Sequence, residues 1–197
     1  MVKYEKSFSE FEVKESSIKF NKESDTTSNT IGCVGSFEEE LDTKSITKKC
    51  EGIVVKNVTK CAGSGTIKVT LHIRNDIYMR MLGMNDSKLK AGVYGYGKDS
   101  IHESFTYLAK VLDEDGVTKY VAYPNCVLSS GPSSKIENGA EEVSEREVEI
   151  NLAIDSYGYI KYECLAEELD ESDKNLGEKW INEFNYDLIK VTEAIGI

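Results

Sequence analysis

The chain has 197 residues, of which 40% are hydrophobic and 30% charged, and this balance excludes a chain that is disordered throughout. Its 24 Lys and Arg residues against 35 Asp and Glu residues give a net charge of -11, which argues against nucleic-acid binding, because phosphates require clustered cations. No run approaches the roughly 18 apolar residues that cross a bilayer, and the N-terminus lacks the apolar core of a signal peptide. We therefore expect a protein without membrane insertion that is made in the cytoplasm.

The first part of the chain predicts one exposed loop and three strands. Residues 21–29 are almost entirely polar and indicate a loop, whereas residues 31–41 and 53–58 have the composition of strands. Residues 66–74 alternate strictly, and the alternation predicts a half-buried strand with Ile67, Val69, Leu71 and Ile73 on its apolar face.

A short helix is predicted directly after this strand. Asn75 and Asp76 offer an N-cap and an acidic first turn, apolar residues recur at helical spacing, and Gly83 ends the pattern. The glycine-rich stretch at residues 92–97 follows a helix and precedes a strand. Since a phosphate-binding loop requires the reverse order, we predict a tight turn there.

The next segments predict a β-hairpin, a loop and an acidic strand. Residues 105–112 and 119–128 flank an Asp-Gly turn and should pair, and residues 131–139 form an exposed loop. Residues 145–155 alternate again, so that one side of the strand faces the core and the other faces water. The predicted core residues are Val148, Ile150, Leu152 and Ile154, and the predicted wet residues include Glu145, Glu147 and Glu149.

The C-terminal part predicts a second hairpin and then an acidic segment. Tyr157 and Gly158 interrupt the chain between the acidic strand and residues 159–165, which suggests that these two strands pair. Residues 163–178 are densely acidic and indicate a solvated surface or an arm that meets a partner. Residues 178–184 predict a further short helix, in which Trp180 is either a packing residue or an anchor for a partner.

The sequence offers no catalytic constellation, cofactor site or metal site. The five cysteines lack CxxC spacing and histidine neighbours, so we interpret them as reduced and mostly buried thiols. The histidines, His72 and His102, have no sequence neighbours that suggest a ligand or general base. We therefore predict a protein that is not an enzyme, although a hydrolase with paired carboxylates is not excluded by counting acids.

The order of segments from about residue 50 to 166 resembles a known family. The stretches are KVTLHIRNDIYMRMLGM, then GVYGYGKDS, then FTYLAKVLDEDGVTKYVAYPNCVLSSGPS, and finally EREVEINLAIDSYGYIKYEC. In this order they resemble the major tail tube proteins of long-tailed phages that infect Gram-positive bacteria.

The resemblance implies a mainly β protein, a tail-tube-type β-sandwich or barrel with a short flanking helix and extended loops or arms. It divides the chain into an N-terminal arm (residues 1–30), a core domain (residues 31–166) and an acidic C-terminal extension (residues 167–197). Copies would join through their strands into rings, usually of six subunits, and the rings would stack into a tube. The loop at residues 21–29 or the loop at residues 131–139 would reach the adjacent ring.

The resemblance also implies a role for the acidic residues. The channel of such a tube is lined by negative charge, past which DNA moves without specific binding. Glu145, Glu147 and Glu149 are candidates for this lining, and Glu38 and Glu40 form a competing candidate surface. The implied partners are further copies of the chain, a tape measure protein, and tail terminator or baseplate proteins, and the implied location is the virion tail, assembled in the cytoplasm of the host bacterium.

A second hypothesis is a β-sandwich module that binds a carbohydrate or a receptor as part of a tail or surface structure. Its expected signature is a group of exposed aromatic side chains on one face, and the chain contains 11 Tyr residues. The tyrosines are spread along several predicted strands, which suits ordinary β packing equally well.

Overall fold

The computed structural model describes residues 3–22 and 24–191 and shows a mainly β protein with 43% strand and 13% helix. The strands are β1 (Glu10–Phe20), β2 (Asn29–Thr30), β3 (Val34–Cys50), β4 (Ile53–Leu71), β5 (Phe105–Asp113), β6 (Thr118–Leu128), β7 (Arg146–Ala153) and β8 (Tyr162–Leu165). The α-helices are α1 (Asn75–Met81), α2 (Leu176–Glu183) and α3 (Tyr186–Ile189). The predicted mainly-β fold with a short flanking helix is confirmed.

All described strands belong to one open antiparallel sheet with the order β2-β1-β5-β6-β7-β4-β3. Strand β8 lies off this path and pairs with β6. One edge of β6 pairs with β5, and two strands share its other edge: Lys119–Ala122 pair with β8, and Cys126–Leu128 pair with β7. The sheet curls so that its two ends approach each other: Phe37 of β3 stacks on Tyr107 of β5 with ring centroids 5.8 Å apart.

The predicted hairpin of β5 and β6 is confirmed, with Leu112 opposite Thr118 at its closed end. Its turn is fixed by Asp113, whose Oδ1 accepts hydrogen bonds from the backbone N–H groups of Asp115 (3.0 Å) and Val117 (2.7 Å). Gly116 adopts a φ of 82°, a left-handed conformation that glycine reaches without steric strain.

The core consists of two apolar layers on opposite faces of β5 and β6. The larger layer fills the curled sheet and includes Ile67, Val69, Phe105 and Tyr107, and α1 covers its end with Ile77, Tyr78 and Met81. The smaller layer joins Leu108 and Ala122 to Trp180 and Phe184 of the C-terminal segment. Because β5 is covered on both faces, nearly all its residues are buried, as its continuous apolar sequence indicates.

The two ends of the chain both contribute buried residues to these layers. Ile18 of β1 is fully buried in the larger layer, and Trp180 is 2% exposed in the smaller one. Trp180 is therefore a packing residue in this chain. The chain before it, residues 162–175, consists of β8, which pairs with β6, and two short 3-10 helices at Ala166–Glu168 and Glu171–Asp173.

Several local predictions are corrected. The predicted strands at residues 53–58 and 66–74 are one strand, β4, which ends at Leu71, so that Ile73 lies outside it. The predicted strand at residues 31–41 begins at Val34 and continues to Cys50. Helix α1 forms as predicted, but Arg74 occupies the N-cap position and makes no side-chain capping bond.

The predicted second hairpin is wrong in its pairing. A tight turn does form at Asp155, whose Oδ1 accepts from the N–H groups of Tyr157 and Tyr159, and Gly158 has a φ of 86°. After this turn, however, β8 pairs with β6. The outer edge of β6 beside Lys119–Ala122 is left free by the short β6–β7 ladder, and β8 satisfies those backbone groups.

The cysteines are all free thiols, but they are less buried than predicted. Cys126 is buried, and burial raises the pKa of its thiol to about 12. Cys33, Cys50 and Cys61 are exposed. The difference arises because Cys50 and Cys61 belong to a part of β3 and β4 that leaves the body of the protein.

Candidate functional site: an acidic sheet face and a projecting hairpin

The structure places four of the predicted acidic residues on one face of the sheet. In the β3–β4–β7 register, Lys68 of β4 lies opposite Glu38 on one side and Glu149 on the other. Glu40 and Glu147 lie on the same face, opposite Thr66 and Thr70 of β4. We call Glu38, Glu40, Glu147 and Glu149 the acidic face. The two candidate surfaces that the sequence suggested are thus a single surface with Lys68 at its centre.

Glu145 lies beside this face but is not part of the strand. It is exposed and precedes β7, and its carboxylate lies against Gly35, where a Cβ on the glycine would come within 2.2 Å of it. Gly35 sits at the irregularity between Val34 and Ser36, where β3 shifts its register against β4.

The opposite side of the same strand is apolar, as alternation requires. Val148, Ile150 and Leu152 are buried, and Val148 and Ile150 lie opposite Val69 and Ile67 of β4. Ile154 was predicted to join them but is 46% exposed. It follows the last residue of β7, where the chain turns away towards Asp155, so the alternation no longer places its side chain in the core.

One acidic residue of β3 points the other way and was missed by sequence reasoning. Glu39 lies on the inner side of β3, where its carboxylate accepts hydrogen bonds from the Tyr123 hydroxyl (2.8 Å) and from Lys161 Nζ. Burial opposes the charge on Lys161, but the carboxylates of Glu163 and Glu39 together hold the pKa of Lys161 above its usual value. Burial and the neighbouring Glu39 also raise the pKa of Tyr123.

Glu39 lines a cleft between the two ends of the curled sheet. The cleft has a volume of about 500 Å³ and is bounded by β1 from Glu10 to Val13 and by β3 from Val34 to Phe37. No strand of the described chain bridges these two edges. β2 covers only Ser17 and Ile18 of β1, so both facing edges present backbone groups without a strand partner.

The distal parts of β3 and β4 form a two-stranded hairpin that projects from the body. β7 pairs with β4 only from Ser64 to Leu71, whereas β3 and β4 remain paired from Thr43 opposite Cys61 to Cys50 opposite Ile53. We call Thr43–Cys61 the hairpin arm. The eight residues on its β3 side, Thr43–Cys50, extend about 26 Å at roughly 3.3 Å per residue. All its residues are exposed except Val58, which is half-buried.

The tip of the hairpin arm is a two-residue turn. Glu51 and Gly52 connect Cys50 to Ile53 and have φ values of 51° and 83°. Positive φ at both central positions is the geometry of the type I′ turn, which matches the twist of antiparallel strands. The apolar residues Ile53, Val54 and Val55 next to the turn are all exposed.

Lysines face each other across the hairpin arm. Lys44 lies directly opposite Lys60, and Lys48 lies directly opposite Lys56. Between these two pairs lies the apolar pair of Ile46 and Val58. Like charges directly opposite each other destabilise a ladder, so this face of the arm gains from an anionic partner. The arm contains five lysines and one carboxylate, in a chain whose net charge is -11.

The two loops predicted to reach a neighbour differ in how firmly they are held. In the loop at residues 21–29, Arg80 of α1 binds the Asp25 carboxylate through Nη1 (3.1 Å) and Nη2 (2.6 Å) and also binds Glu103. The guanidinium lies 3.7 Å from the centre of the Phe20 ring. In the loop at residues 131–139, the Ser133 N–H donates to the Tyr78 hydroxyl (3.2 Å) and the Ser133 carbonyl accepts from Arg146 (2.7 Å), whereas Ile136 is 85% exposed.

The Arg80 network predicts a measurable acid sensitivity. Hydrogen bonds from Arg80 lower the pKa of Asp25, and for Glu103 the same guanidinium outweighs burial and lowers the pKa of that carboxyl as well. A lowered folded-state pKa contributes stability above the unfolded values of about 4, and this stability is lost as the pH falls through the folded pKa. Arg80→Met should lower the free energy of unfolding at pH 7 by about 2 kcal/mol, and its stability should fall less steeply between pH 5 and pH 3.

Urea denaturation at several pH values measures both effects. Arg74→Met is the matched control, since Arg74 binds only the exposed Asp76 near the same helix. Equal acid sensitivity in the wild type and Arg80→Met would contradict this assignment.

His102 makes structural contacts at the end of β6. His102 Nδ1 lies 2.9 Å from the Leu128 carbonyl oxygen and its Nε2 lies 3.1 Å from the Tyr96 hydroxyl, which ties the glycine-rich turn to the end of β6. Within the described residues, no three His, Cys, Asp or Glu side chains come together in a group that could hold a metal ion. None of the described helices is long and apolar enough to cross a membrane.

No protein-family model matches this chain, and no curated protein matches it either.

Proposed function

We propose that this chain is a structural subunit of the tail tube of a phage or a phage-like particle. In this proposal it is not an enzyme. Copies associate into stacked rings of six, and the acidic face lines the channel through which DNA passes. One observation carries the proposal: the acidic face spans β7, β4 and β3 at the end of the sheet, where the outer edge of β3 has no strand partner among the described residues.

The unpaired edge supports assembly through shared sheets. β3 is the last strand of the sheet path and is 17 residues long, and no described strand covers its outer edge. Monomeric proteins keep exposed edges short, because a long edge is a template for another strand. A ring in which each edge meets the next copy removes every free edge.

The acidic face supports a channel lining. Its four carboxylates surround one lysine, so the face carries net negative charge over three adjacent strands. DNA is repelled by such a surface and can slide past it without being held. In the unassembled subunit the acidic face is open to solvent.

The proposal includes partners and a location. Ring neighbours and adjacent rings are copies of the chain, and a tape measure protein and terminator or baseplate proteins would define the length and the ends of the tube. The assembled protein would reside in the virion tail after assembly in the cytoplasm of the host.

Electron microscopy of the purified protein over a range of concentrations tests the proposal. We expect rings or tubes with an open central channel, and cross-sections should show continuous sheet between subunits. A protein that stays monomeric at every concentration and is never found in tail-like particles would contradict it. The tape measure, terminator and baseplate proteins need not be present, since the proposed contacts are made between copies of this chain.

A binding module is the second candidate, and one cluster of aromatic rings favours it. Tyr157 and Tyr186 stack at 3.6 Å beside Tyr159 and Tyr162, and Tyr157 and Tyr159 are about half exposed. Exposed tyrosines can stack on sugar rings. A glycan array with a reproducible hit that disappears in Tyr157→Ala would support this candidate.

A further inference from the structure

The hairpin arm has no partner in the described chain, and its composition indicates what kind of partner it needs. A two-stranded ribbon with water on both faces is marginally stable by itself. Its exposed apolar tip, Ile53–Val55, and its two opposed lysine pairs both favour contact with a surface that is partly apolar and negatively charged.

The same molecule carries a surface with those properties along the free edge of β3. Glu38 and Glu40 stand on the outer side of this edge, and the cleft beside it contains the apolar side chains of Val13, Val34 and Phe37. The edge also offers backbone N–H and C=O groups to an added strand. The hairpin arm of the same copy cannot reach this edge, because it continues β3 and points away from it.

We propose that the hairpin arm of one copy lies along the free β3 edge of a second copy, where it adds a strand to the sheet. Its lysine pairs, Lys44–Lys60 and Lys48–Lys56, lie beside Glu38 and Glu40 of the second copy, and its apolar tip enters the cleft between β1 and β3. Glu147 and Glu149 of β7 are two strands away from this edge and remain to line the channel. This inference rests on the proposed function, because it specifies the contact by which the subunits of the tube join.

The contact would join two different surfaces, the arm of one copy and the β3 edge of the next. A contact of this kind leaves one arm and one edge free after each addition, so it propagates until a ring closes. It also offsets the repulsion between the lysines of each pair, because carboxylates of the second copy become their neighbours. The lysines would additionally discourage irregular edge pairing by a monomer. Protection against irregular pairing does not require a complementary acidic surface, whereas the proposed contact does, so exchanging the charges distinguishes these two roles of the lysines.

A charge-exchange experiment tests the contact. The arm variant carries K44E, K48E, K56E and K60E, and the face variant carries E38K and E40K. Each variant alone would place like charges against like charges, whereas an equimolar mixture restores opposite charges at every contact. Sedimentation velocity should show that self-association of each variant is at least ten-fold weaker than that of the wild type and that the mixture recovers it. Raising the NaCl concentration should weaken wild-type association, because exposed charges are screened.

A matched control carries the same change in net charge as the arm variant at exposed lysines outside the arm, namely K88E, K90E, K98E and K179E. It should associate like the wild type. Circular dichroism checks the folding of every variant. If a reversed variant does not fold, the neutral Lys→Gln and Glu→Gln versions replace it. Each should weaken association alone, and their mixture should regain only part of it, because the lysine arm of the Glu→Gln variant still meets the Glu38 and Glu40 carboxylates of the Lys→Gln variant.

The outcomes separate this contact from the proposed function. Tubes that form equally well with the arm variant alone, or a mixture of folded, reversed variants that fails to recover association, would overturn the contact and leave the tube function standing. Salt-sensitive association that follows the charge exchange without forming rings or tubes would support the contact and contradict the function. Wild-type protein that does not associate under any condition would overturn both.

Discussion

Excision of the hairpin arm is expected to abolish assembly while leaving the monomer folded. The variant replaces residues 44–60 with Asn-Gly, which joins the opposed residues Thr43 and Cys61 by a two-residue turn. The removed residues are exposed, apart from the half-buried Val58, and contribute no side chain to either core layer. We therefore expect the free energy of unfolding to change by less than about 1 kcal/mol, because the removed side chains are exposed and a two-stranded ribbon with water on both faces contributes little stability of its own.

Two measurements on the same sample check this expectation. Urea denaturation reports the stability of the monomer, and electron microscopy with sedimentation velocity reports assembly. A control variant, Cys50→Ser, keeps the arm and alters only an exposed thiol near its tip, and it should assemble normally. An excised variant that still forms tubes would show that the arm is dispensable, and one that fails to fold would show that the arm supports the body.

The parts of the fold that could be predicted are those set by local patterns. Strict alternation from Ile67 to Leu71 has one explanation, a strand with one buried face, and the structure shows that strand. The Asp-Gly turn likewise determines the β5–β6 hairpin, because the side chain of Asp113 stabilises the turn within a few residues. Neither feature depends on distant parts of the chain.

The features that could not be predicted depend on pairing between distant segments. The turn at Gly158 is local and was predicted, but the partner of β8 depends on which edge of β6 the short β7 leaves open. The position of Trp180 depends on the outer face of β5 and β6, more than 50 residues earlier in the chain. A sequence shows that such residues are apolar without showing which surface receives them.

The acidic face and the hairpin arm illustrate the same limit. Glu38 and Glu149 are more than 100 residues apart and become neighbours only because Lys68 of β4 lies between them. For the arm, a local signal was present and was overlooked: the lysine and apolar residues of β3 and β4 are arranged symmetrically about Glu51-Gly52. A dipeptide that ends in Gly and connects two alternating segments indicates a hairpin with a two-residue loop. This local signal does not show that the hairpin projects beyond the rest of the sheet.

Truncation of Trp180 should cause the largest loss of stability among single substitutions on the C-terminal segment. Its side chain is 2% exposed and packs between Tyr120, at a ring distance of 6.5 Å, and Phe184, at 4.8 Å. Gly177 allows this close approach, because a Cβ at that position would lie 2.3 Å from the Tyr120 ring. Replacing a buried Trp by Ala removes apolar contacts and leaves a cavity, which costs about 3–5 kcal/mol.

The substitution should also change how the protein associates, because α2 covers the outer face of β5 and β6. With Trp180→Ala, Leu108 and Ala122 become accessible to solvent, and an exposed apolar sheet face promotes irregular aggregation. Urea denaturation measures the loss of stability, and Val191→Ala, at a position that is 90% exposed, serves as the control. A loss below about 1 kcal/mol would mean that the C-terminal layer is not part of the cooperative fold. The acidic face and the hairpin arm lie on β3, β4 and β7, whereas the Trp180 layer covers β5 and β6. If the folded fraction of Trp180→Ala still forms regular rings, this layer serves stability and β3 and β4 serve assembly.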